Sequence, residues 1–396
     1  MSEIILNARC HSPRFENKTQ EASGIHVIGI GASAGGLDAL KTFFSNMPAS
    51  SGAAFVVITH LNPMQKSMIA DILSKYTDMP VVDIKKRMKI NPNHIYVAPS
   101  EKIIELINGE LRPHKKTDMK DVKLPIDFFF QSLGEKVREL AIAIILSGTM
   151  NDGATGISIV KEYGGLTLVQ KPETAEFEGM PNNAIQTGFV DIILAVKEMP
   201  AAIVKYLEHP CIKNSLDILS NTDELNRILE LIQNRFKYDF KCYKKNTIVR
   251  RAERRMGLCG INSGDGYVDL LKRNPDELES LFKDLLIGVT EFFREGALWE
   301  TLKNETLREL VSESQPDVPL RIWVPGCSSG EEPYTIAIIL YELFEEMNKP
   351  FNVQIFATDI DSNAIETARS GIYNEKITAG VSSDRLKKFF IKSGKK

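Results

Sequence analysis

The sequence contains no apolar run near the roughly 20 residues that span a bilayer, and its N-terminus lacks the apolar core of a signal peptide. Its five cysteines are scattered without a CxxC pair, which favours neither a zinc site nor a disulfide framework. The net charge of −3 argues against a general nucleic-acid binder. We therefore expect a cytoplasmic protein with no metal centre, no membrane insertion and no nucleic-acid partner.

The 396 residues are enough for two or three domains, and residues 1–23 are expected to be a flexible leader. Strand-like runs begin at Ile25, Ala53 and Leu140, and they alternate with helical segments near 36–46 and 64–76. This alternation predicts an α/β domain with a Rossmann-like doubly wound parallel sheet. We expect the segments 91–99 and 103–113 to add a β-ribbon to that sheet, and 162–170 to be its last strand.

Ser33 lies in the stretch GIGASAGG (29–36), between a buried strand and an amphipathic helix. The glycines permit a sharp strand-to-helix turn, and the first N–H groups of the helix point unpaired toward whatever lies beside the serine. Such a turn would place a nucleophile beside an oxyanion site. Two alternatives stay open at this point: a glycine-rich turn with a surface serine, and a dinucleotide loop, since Gly29, Gly31 and Gly35 have loose Rossmann spacing.

Polar residues suited to catalysis follow three of the buried strands: Ser33, His60 and Asp152. Because strand carboxyl ends gather at one edge of an open α/β sheet, they are candidates for one site, with serine as nucleophile, histidine as base and aspartate as orienting group. Singly, His60 is also explained as a capping or core histidine, and Asp152 as the N-cap of the next helix. The dinucleotide alternative weakens, because Thr59-His60 stands where a ribose-binding acid is expected.

Several motifs occur in a characteristic order: GIGASAGG, ITHLNP, IYVAP, LPIDFFFQSL, SGTMNDGATG and EGMPNNAIQTG. Together they resemble the catalytic domain of chemotaxis protein-glutamate methylesterases (CheB type). The resemblance implies a domain over 24–208 that needs no cofactor. It also implies roles for five residues: Ser33 as nucleophile, His60 as general base, Asp152 as its orienting carboxylate, and the backbone N–H groups of Ala34 and Thr149 as the oxyanion hole.

The sequence departs from the family pattern at two places. Thr59 stands where glutamine is frequent, and Thr149-Met150 replaces a Met-Gly pair. Neither change removes a catalytic group, although the second falls on the oxyanion side. The family usually carries a phosphorylatable receiver domain before this one, whereas only residues 1–23 precede it here, so we expect no phosphorylation control in cis.

Residues 209–221 are expected to be a linker, and 222–310 a small all-α subdomain with amphipathic helices at 224–236 and 276–287. A basic run over 241–256 could dock an acidic receptor helix, or it could be a solvated helix face. The arginines expected to bind such a partner are Arg250, Arg251, Arg254 and Arg255.

Residues 311–396 contain a second set of chemical motifs. A strand at 320–325, expected to be buried, leads into the glycine turn GCSSGEEPY (326–334), and the strand VQIFATDID (353–361) ends in acids. With LLIGVTEFFRE, RRAERRM and SGIY, these parts resemble the chemotaxis receptor glutamate O-methyltransferases (CheR type), although Gly288 stands where asparagine is frequent. The resemblance implies that S-adenosylmethionine is bound by Thr290, Arg294, Glu331 and Asp359.

Only two strands of the class I methyltransferase sheet can be identified in this part of the sequence. We therefore expect an incomplete α/β sheet, inefficient methyl transfer, and a chain that is a fragment or a truncated relative of a longer esterase–methyltransferase fusion. The resemblances imply a chemotaxis enzyme that hydrolyses glutamate γ-methyl esters, and deamidates glutamine, on chemoreceptor-like or other signalling proteins. The alternatives are a signalling scaffold with a degenerate methyltransferase, and a serine esterase with another substrate range.

Overall fold

The computed structural model of the protein describes residues 24–59, 68–115, 124–213, 218–220, 222–286, 288, 290–294, 296–373 and 380–392. The chain divides into two compact units. The first contains the described residues up to Asn226 together with Lys244–Val268, and the second contains Arg227–Tyr243 together with those from Asp269 onward. Across the described ranges, no helix combines the length and the apolar character needed to cross a membrane.

The described part of the first unit contains ten strands: β1 (Val27–Ala32), β2 (Ala54–Thr59), β3 (Val81–Asp83), β4 (Met88–Lys89), β5 (Ile95–Val97), β6 (Lys102–Ile107), β7 (Glu110–Lys115), β8 (Ala141–Ile145), β9 (Leu166–Gln170) and β10 (Ile192–Leu194). Seven of them form one sheet in the order β10-β9-β8-β1-β2-β5-β3, with every pair parallel. Strands β1, β8 and β9 are buried along their whole length, because helices cover both faces. The predicted doubly wound parallel sheet is confirmed.

The α-helices described up to residue 273 are α1 (Gly36–Asn46), α2 (Met68–Leu73), α3 (Pro125–Val137), α4 (Ala154–Glu162), α5 (Gly179–Gln186), α6 (Met199–Leu207), α7 (Pro210–Lys213), α8 (Thr222–Phe236), α9 (Lys245–Cys259) and α10 (Gly264–Arg273). The helix predicted over 36–46 is confirmed as α1. One core cluster contains Phe43 and Phe44 of α1 with Phe55 of β2, and the other contains Phe129 and Phe130 of α3. The sheet therefore has an apolar layer on each face.

The sheet changes its winding direction at β1. From β1 the chain adds β2 on one side, and it later returns to add β8 on the other. In the parallel register Ala32 pairs with Thr59 of β2, and Gly31 pairs with Ile145 of β8. The residues that follow these three strands therefore lie at one edge, at the topological switch point where open α/β sheets bind ligands.

Two sequence predictions about the sheet are wrong. The hairpin within 103–113 forms as β6 and β7, but it pairs with β4 in a separate antiparallel sheet. Only β5, from the segment 91–99, joins the main sheet, and β3 then pairs with its outer side and occupies the edge. The strand within 162–170 is not the last one, because β10 pairs beyond β9.

The second unit contains α11 (Pro275–Leu286), α12 (Gly296–Leu302), α13 (Arg308–Glu313), β11 (Leu320–Pro325), α14 (Glu331–Glu346), β12 (Val353–Thr358), α15 (Ser362–Ser370) and α16 (Ser383–Phe389). Strands β11 and β12 pair in parallel, and within the described residues they are the whole of this sheet. Trp323 of β11 and Phe356 of β12 are 67% and 53% exposed, and Val324 is the only buried residue of β11, so the predicted burial of the strand at 320–325 is wrong. The domain boundaries that the sequence predicts at residues 208, 221 and 310 stay predictions.

Candidate active site

Ser33 follows β1 directly, and Ala34 and Gly35 separate it from α1. Its N–H donates to the Ser147 carbonyl at 3.0 Å, and its own carbonyl accepts from the Gly36 N–H at 2.9 Å. Gly35 makes the turn with φ +70°, which favours glycine. A Cβ at Gly35 would lie 2.7 Å from both Glu176 Cβ and Ser147 Oγ, so this glycine faces protein atoms. That contact argues against a dinucleotide loop, where the backbone has to approach a pyrophosphate.

The segment after β8 is fixed against the Ser33 turn by a buried serine. The Ser147 hydroxyl donates to the Ala34 carbonyl at 2.9 Å and accepts from the Phe177 N–H at 3.0 Å. The Ser147 N–H donates to Gln170 Oε1 at 2.8 Å. Sequence reasoning missed Ser147 and Gln170. Both residues lie at the carboxyl ends of strands that the sequence predicted. They join the segments after β1, β8 and β9 into one rigid edge.

The predicted oxyanion donors lie on the two joined segments. Ala34 follows Ser33, and Thr149 is an exposed residue of the segment after β8. Within the described part of the chain, neither Ala34 nor Thr149 donates its N–H to another protein group. An oxyanion hole is built from such N–H groups, and the role of Ala34 and Thr149 in one stays a prediction.

Gly148 brings the segment after β8 into contact with the nucleophile turn. A Cβ at this position would lie 2.1 Å from Met180 Sδ and 2.9 Å from Ser33 Cβ. We expect Gly148→Ala to displace Ser33 and to lower kcat for ester hydrolysis about 100-fold, because small misplacements of reacting groups are costly. The control is Gly24→Ala, where a Cβ would meet no atom within 4 Å. Equal kcat for both variants would show that this close approach is not needed.

Asp152 is buried, with 4% of its surface exposed. Its Oδ2 accepts from the Ile126 N–H at 3.1 Å and its Oδ1 from the Asp127 N–H at 3.0 Å, both in the first turn of α3. Helix α4 begins after Gly153, and its first turn donates to the side chain of Asp127, whose Oδ1 accepts from the Gly156 N–H at 2.8 Å. The interpretation of Asp152 as the N-cap of α4 is therefore wrong. The first turn of α3 fixes the orientation of this carboxylate, as an orienting group requires.

His60 lies outside the described residues, as do residues 61–67. The last described residue before it, Thr59, ends β2 and pairs with Ala32, which precedes Ser33. The strand ends before Ser33 and before His60 are therefore in register. The role of His60 as a base stays a prediction.

The predicted cofactor residues of the second unit lie around the turn between β11 and α14. Asp359 accepts hydrogen bonds from the backbone N–H groups of Ser328 and Asp361, at 2.7 and 2.9 Å. Glu331, at the first position of α14, is 2% exposed and accepts from the Ser329 hydroxyl at 2.7 Å. Burial raises the pKa of Glu331, and hydrogen bonds from Ser329, its own backbone and Thr290 oppose part of that rise.

Three of the four predicted cofactor residues are thus brought to one turn. Thr290 is half-buried against Glu331, whereas Arg294 is exposed. Gly326 has φ +71°, and a Cβ there would meet nothing within 4 Å, so the backbone is open beside Asp359. A buried carboxylate and an open glycine turn fit a cofactor that carries an ammonium group and a ribose.

Tyr373 is a residue of this turn to which sequence reasoning gave no role. Its hydroxyl donates to the Ser329 carbonyl at 2.6 Å, and burial raises its pKa well above the ordinary value. A Cβ at Gly330, where φ is +98°, would lie 2.8 Å from the same hydroxyl. The sequence signal for Tyr373 is the motif SGIY (370–373), which contributed to the prediction only as part of the resemblance to CheR-type methyltransferases. Tyr373 holds the turn that presents Glu331.

The four predicted partner-binding arginines lie on α9, which belongs to the first unit. Arg254 is buried, with an ion pair to Asp191 and a hydrogen bond from its Nη2 to the Gly165 carbonyl at 2.8 Å. Arg250 is exposed and pairs with Glu139, while Arg251 and Arg255 are half-buried. The four arginines therefore do not form one exposed basic face. Docking of an acidic partner by the other three stays a prediction.

Three family models match consecutive parts of the chain. The model of the CheB methylesterase matches residues 28–203. The models of the CheR methyltransferase match with its all-alpha domain over 223–286 and with its SAM binding domain over 288–396. The cofactor of the last region is thus S-adenosylmethionine, as the sequence predicted.

The chain is also similar to individual proteins. An uncharacterized 104.1 kDa protein in the hypE 3′ region of Rhodobacter capsulatus is 33% identical over 350 residues, which are 82% of this chain and 37% of that protein. A chemotaxis protein methyltransferase of Borreliella burgdorferi is 34% identical over 167 residues, 41% of this chain and 59% of its own length. A candidate protein-glutamate methylesterase/protein-glutamine glutaminase of Leptospira interrogans is 30% identical over 180 residues, 45% of this chain and 93% of its own length.

This chain thus spans 37% and 59% of the lengths of the first two relatives, but nearly all of the third. The residues matched by the model of the CheB methylesterase, 28–203, include Ser33 and Asp152 of the candidate active site. The chain belongs to the CheB methylesterase family, and CheR methyltransferase domains follow its methylesterase domain.

Proposed function

We propose that residues 24–208 hydrolyse the γ-methyl ester of glutamate side chains on chemoreceptor-like proteins. The observation that best supports this proposal is the position of Ser33 at the switch point of the sheet, hydrogen-bonded to the segment that leads from β8 to the buried Asp152. A nucleophile, the backbone N–H groups of Ala34 and Thr149 and a fixed carboxylate on adjoining segments are among the parts that acyl transfer needs.

In the proposed mechanism Ser33 Oγ attacks the ester carbonyl carbon while His60 takes its proton. Asp152 orients His60, and the N–H groups of Ala34 and Thr149 stabilise the tetrahedral oxyanion. His60 then gives the proton to the departing methoxide, and methanol leaves. Water, activated by His60, attacks the acyl-enzyme and releases the glutamate carboxylate. A glutamine side chain would follow the same steps with ammonia as the leaving molecule.

The test is methanol release from a chemoreceptor-like protein that carries labelled γ-methyl esters, compared with hydrolysis of a p-nitrophenyl ester. We expect a higher kcat/KM on the methylated protein. A higher kcat/KM on the small ester would instead support a general serine esterase. Binding of the methylated protein without methanol release would support a signalling scaffold.

The cytoplasmic location that the sequence predicts stays a prediction.

For the second unit we propose glutamate O-methyltransferase chemistry of the CheR type. S-adenosylmethionine, when bound, supplies an electrophilic methyl group. Glu331 and Thr290 would hold its amino-acid end, because Glu331 is a buried carboxylate at the turn. Asp359 would bind the ribose hydroxyls, as an acid at the end of the second strand does in this fold. Arg294 is proposed to contribute a positive charge at the exposed side.

We expect this 396-residue chain to bind S-adenosylmethionine more weakly than the micromolar range. Within the described residues the sheet has only β11 and β12, whereas a switch-point pocket has walls from strands on both sides. Isothermal titration calorimetry measures the affinity directly. Micromolar binding that Asp359→Ala removes would contradict the expected weakness and would assign the binding to this turn.

A further inference from the structure

Met150 has a backbone conformation that disfavours it. Its φ is +67°, in the left-handed region where a side chain with a Cβ costs free energy and glycine does not. The conformation is fixed from outside the segment: Asn183 Nδ2 of α5 donates to the Met150 carbonyl at 2.7 Å and to the Gly179 carbonyl at 2.8 Å. The surrounding structure therefore holds a methionine where glycine would be easier to accommodate.

Packing does not explain this methionine. Its side chain is 73% exposed, whereas Met47, Met180 and Met199 of the same unit are 5%, 1% and 0% exposed. Folding thus gains little apolar burial at Met150 in return for the unfavourable φ. Residues in such conformations are concentrated at functional sites, and the observed outlier points to a role outside folding.

The position of Met150 suggests that role. It lies three residues after Ser147, which accepts the Ser33 N–H, and two after Gly148, which contacts Ser33. The segment on the other side of this loop carries Phe177, which is 39% exposed and whose carbonyl accepts the Gly148 N–H at 3.0 Å. Two exposed apolar side chains therefore stand on the hydrogen-bonded segments that surround the nucleophile.

We propose that Met150 determines substrate specificity: its side chain contacts an apolar side chain next to the esterified glutamate of a polypeptide substrate. The inference rests on the proposed esterase function of the same site. A methyl ester alone offers one methyl group, so discrimination between polypeptides has to come from neighbouring residues. Methionine suits such a contact, because its flexible thioether chain adapts to apolar partners of different shape.

The experiment uses the full chain and two synthetic peptides that carry one glutamate γ-methyl ester. The peptides differ only in the residue next to the ester, which is leucine in one and serine in the other. We expect the wild-type chain to prefer the leucine peptide about tenfold in kcat/KM, the effect of burying part of a methionine side chain. The difference should lie in KM, because the contact does not touch the reacting atoms.

Three variants separate the side chain from the backbone. Met150→Leu keeps an apolar side chain, Met150→Asn gives a polar one of a type that tolerates left-handed φ, and Met150→Gly removes the side chain. We expect the leucine-peptide preference to persist in Met150→Leu and to fall below about twofold in the other two, through a higher KM for the leucine peptide. A thermal unfolding scan of each variant verifies that it is folded.

The outcomes that would overturn the inference are distinct from failure of the esterase function. A preference that persists in Met150→Asn and Met150→Gly would exclude the side chain as its source. Equal kcat/KM of the wild-type chain for both peptides would also overturn the inference, while leaving the esterase function intact. Absence of methanol release from either peptide with the wild-type chain would overturn both.

Discussion

Replacement of Ser33 by alanine is expected to lower kcat for ester hydrolysis by about 10⁴- to 10⁶-fold, the range found when serine triads lose their nucleophile. The change removes one oxygen atom, which is the proposed nucleophile. The Ser33 N–H bond to Ser147 and the Gly36 N–H bond to the Ser33 carbonyl use backbone atoms, so alanine keeps them. Methanol release from a methylated chemoreceptor-like protein measures the effect.

Ser45→Ala is the matched control for this experiment. Ser45 lies near the other end of α1, and its hydroxyl donates to the Lys41 carbonyl within the helix. We expect this variant to hydrolyse the ester at the parental rate. Parental activity in Ser33→Ala would exclude Ser33 as the nucleophile, and comparable losses in both variants would show that the defect lies in folding.

The parts of the fold that the sequence predicted are those with a strong local signal. The helix at 36–46 and the strand at 320–325 have the predicted limits, because each of them borders a glycine turn at a defined residue. The placement of Ser33 and Asp152 at one sheet edge followed from strand alternation and parallel topology. These inferences need only the order of the elements along the chain.

Hydrogen bonds between distant residues could not be predicted in this way. Asp152 precedes a helix, which made it a plausible N-cap, yet its carboxylate binds the first turn of α3, 26 residues earlier in sequence. The hairpin at β6 and β7 was recognised, but its sheet was not, because sequence alternation does not show which edge a strand joins. The role of Ser147 depends on Ala34, 113 residues away.

The buried ion pair of Arg254 on α9 could not be predicted from the sequence either. A run of basic residues is usually solvated, and nothing near Arg254 in sequence indicates a buried acid. Asp191, its partner, lies 63 residues earlier, just before β10. Lys161 of α4 donates to the same carboxylate at 2.6 Å, and the Thr167 N–H and hydroxyl add bonds at 3.0 and 2.9 Å. One carboxylate therefore joins α9 to the esterase sheet.

Asp191→Asn is accordingly expected to lower the free energy of unfolding of the first unit by about 3–5 kcal/mol, the usual cost of removing one partner from a buried ion pair. The variant would remove the carboxylate charge that pairs with both Lys161 and Arg254, in a site where the Asp191 side chain is 1% exposed. Urea unfolding followed by far-UV circular dichroism measures the change. Tryptophan fluorescence would report the second unit, because Trp299 and Trp323 both belong to it.

The exposed ion pair between Glu139 and the α9 residue Arg250 provides the control, since its side chains are 39% and 54% exposed. Glu139→Gln should change the free energy of unfolding by about 0–1 kcal/mol, as surface pairs do.

The pH dependence of stability supplies a second check. Burial alone would raise the pKa of Asp191, but the charges of Arg254 and Lys161 outweigh burial and hold that pKa well below its usual range. A carboxylate with a depressed pKa stabilises the fold at pH values above the pKa of the unfolded chain, about 4, and this stabilisation is lost as the pH falls. The difference in free energy of unfolding between the wild-type chain and Asp191→Asn should therefore narrow below about pH 4. Equal losses of stability in Asp191→Asn and Glu139→Gln, with no dependence on pH, would contradict the assignment of a buried charge cluster that fixes α9 to the sheet.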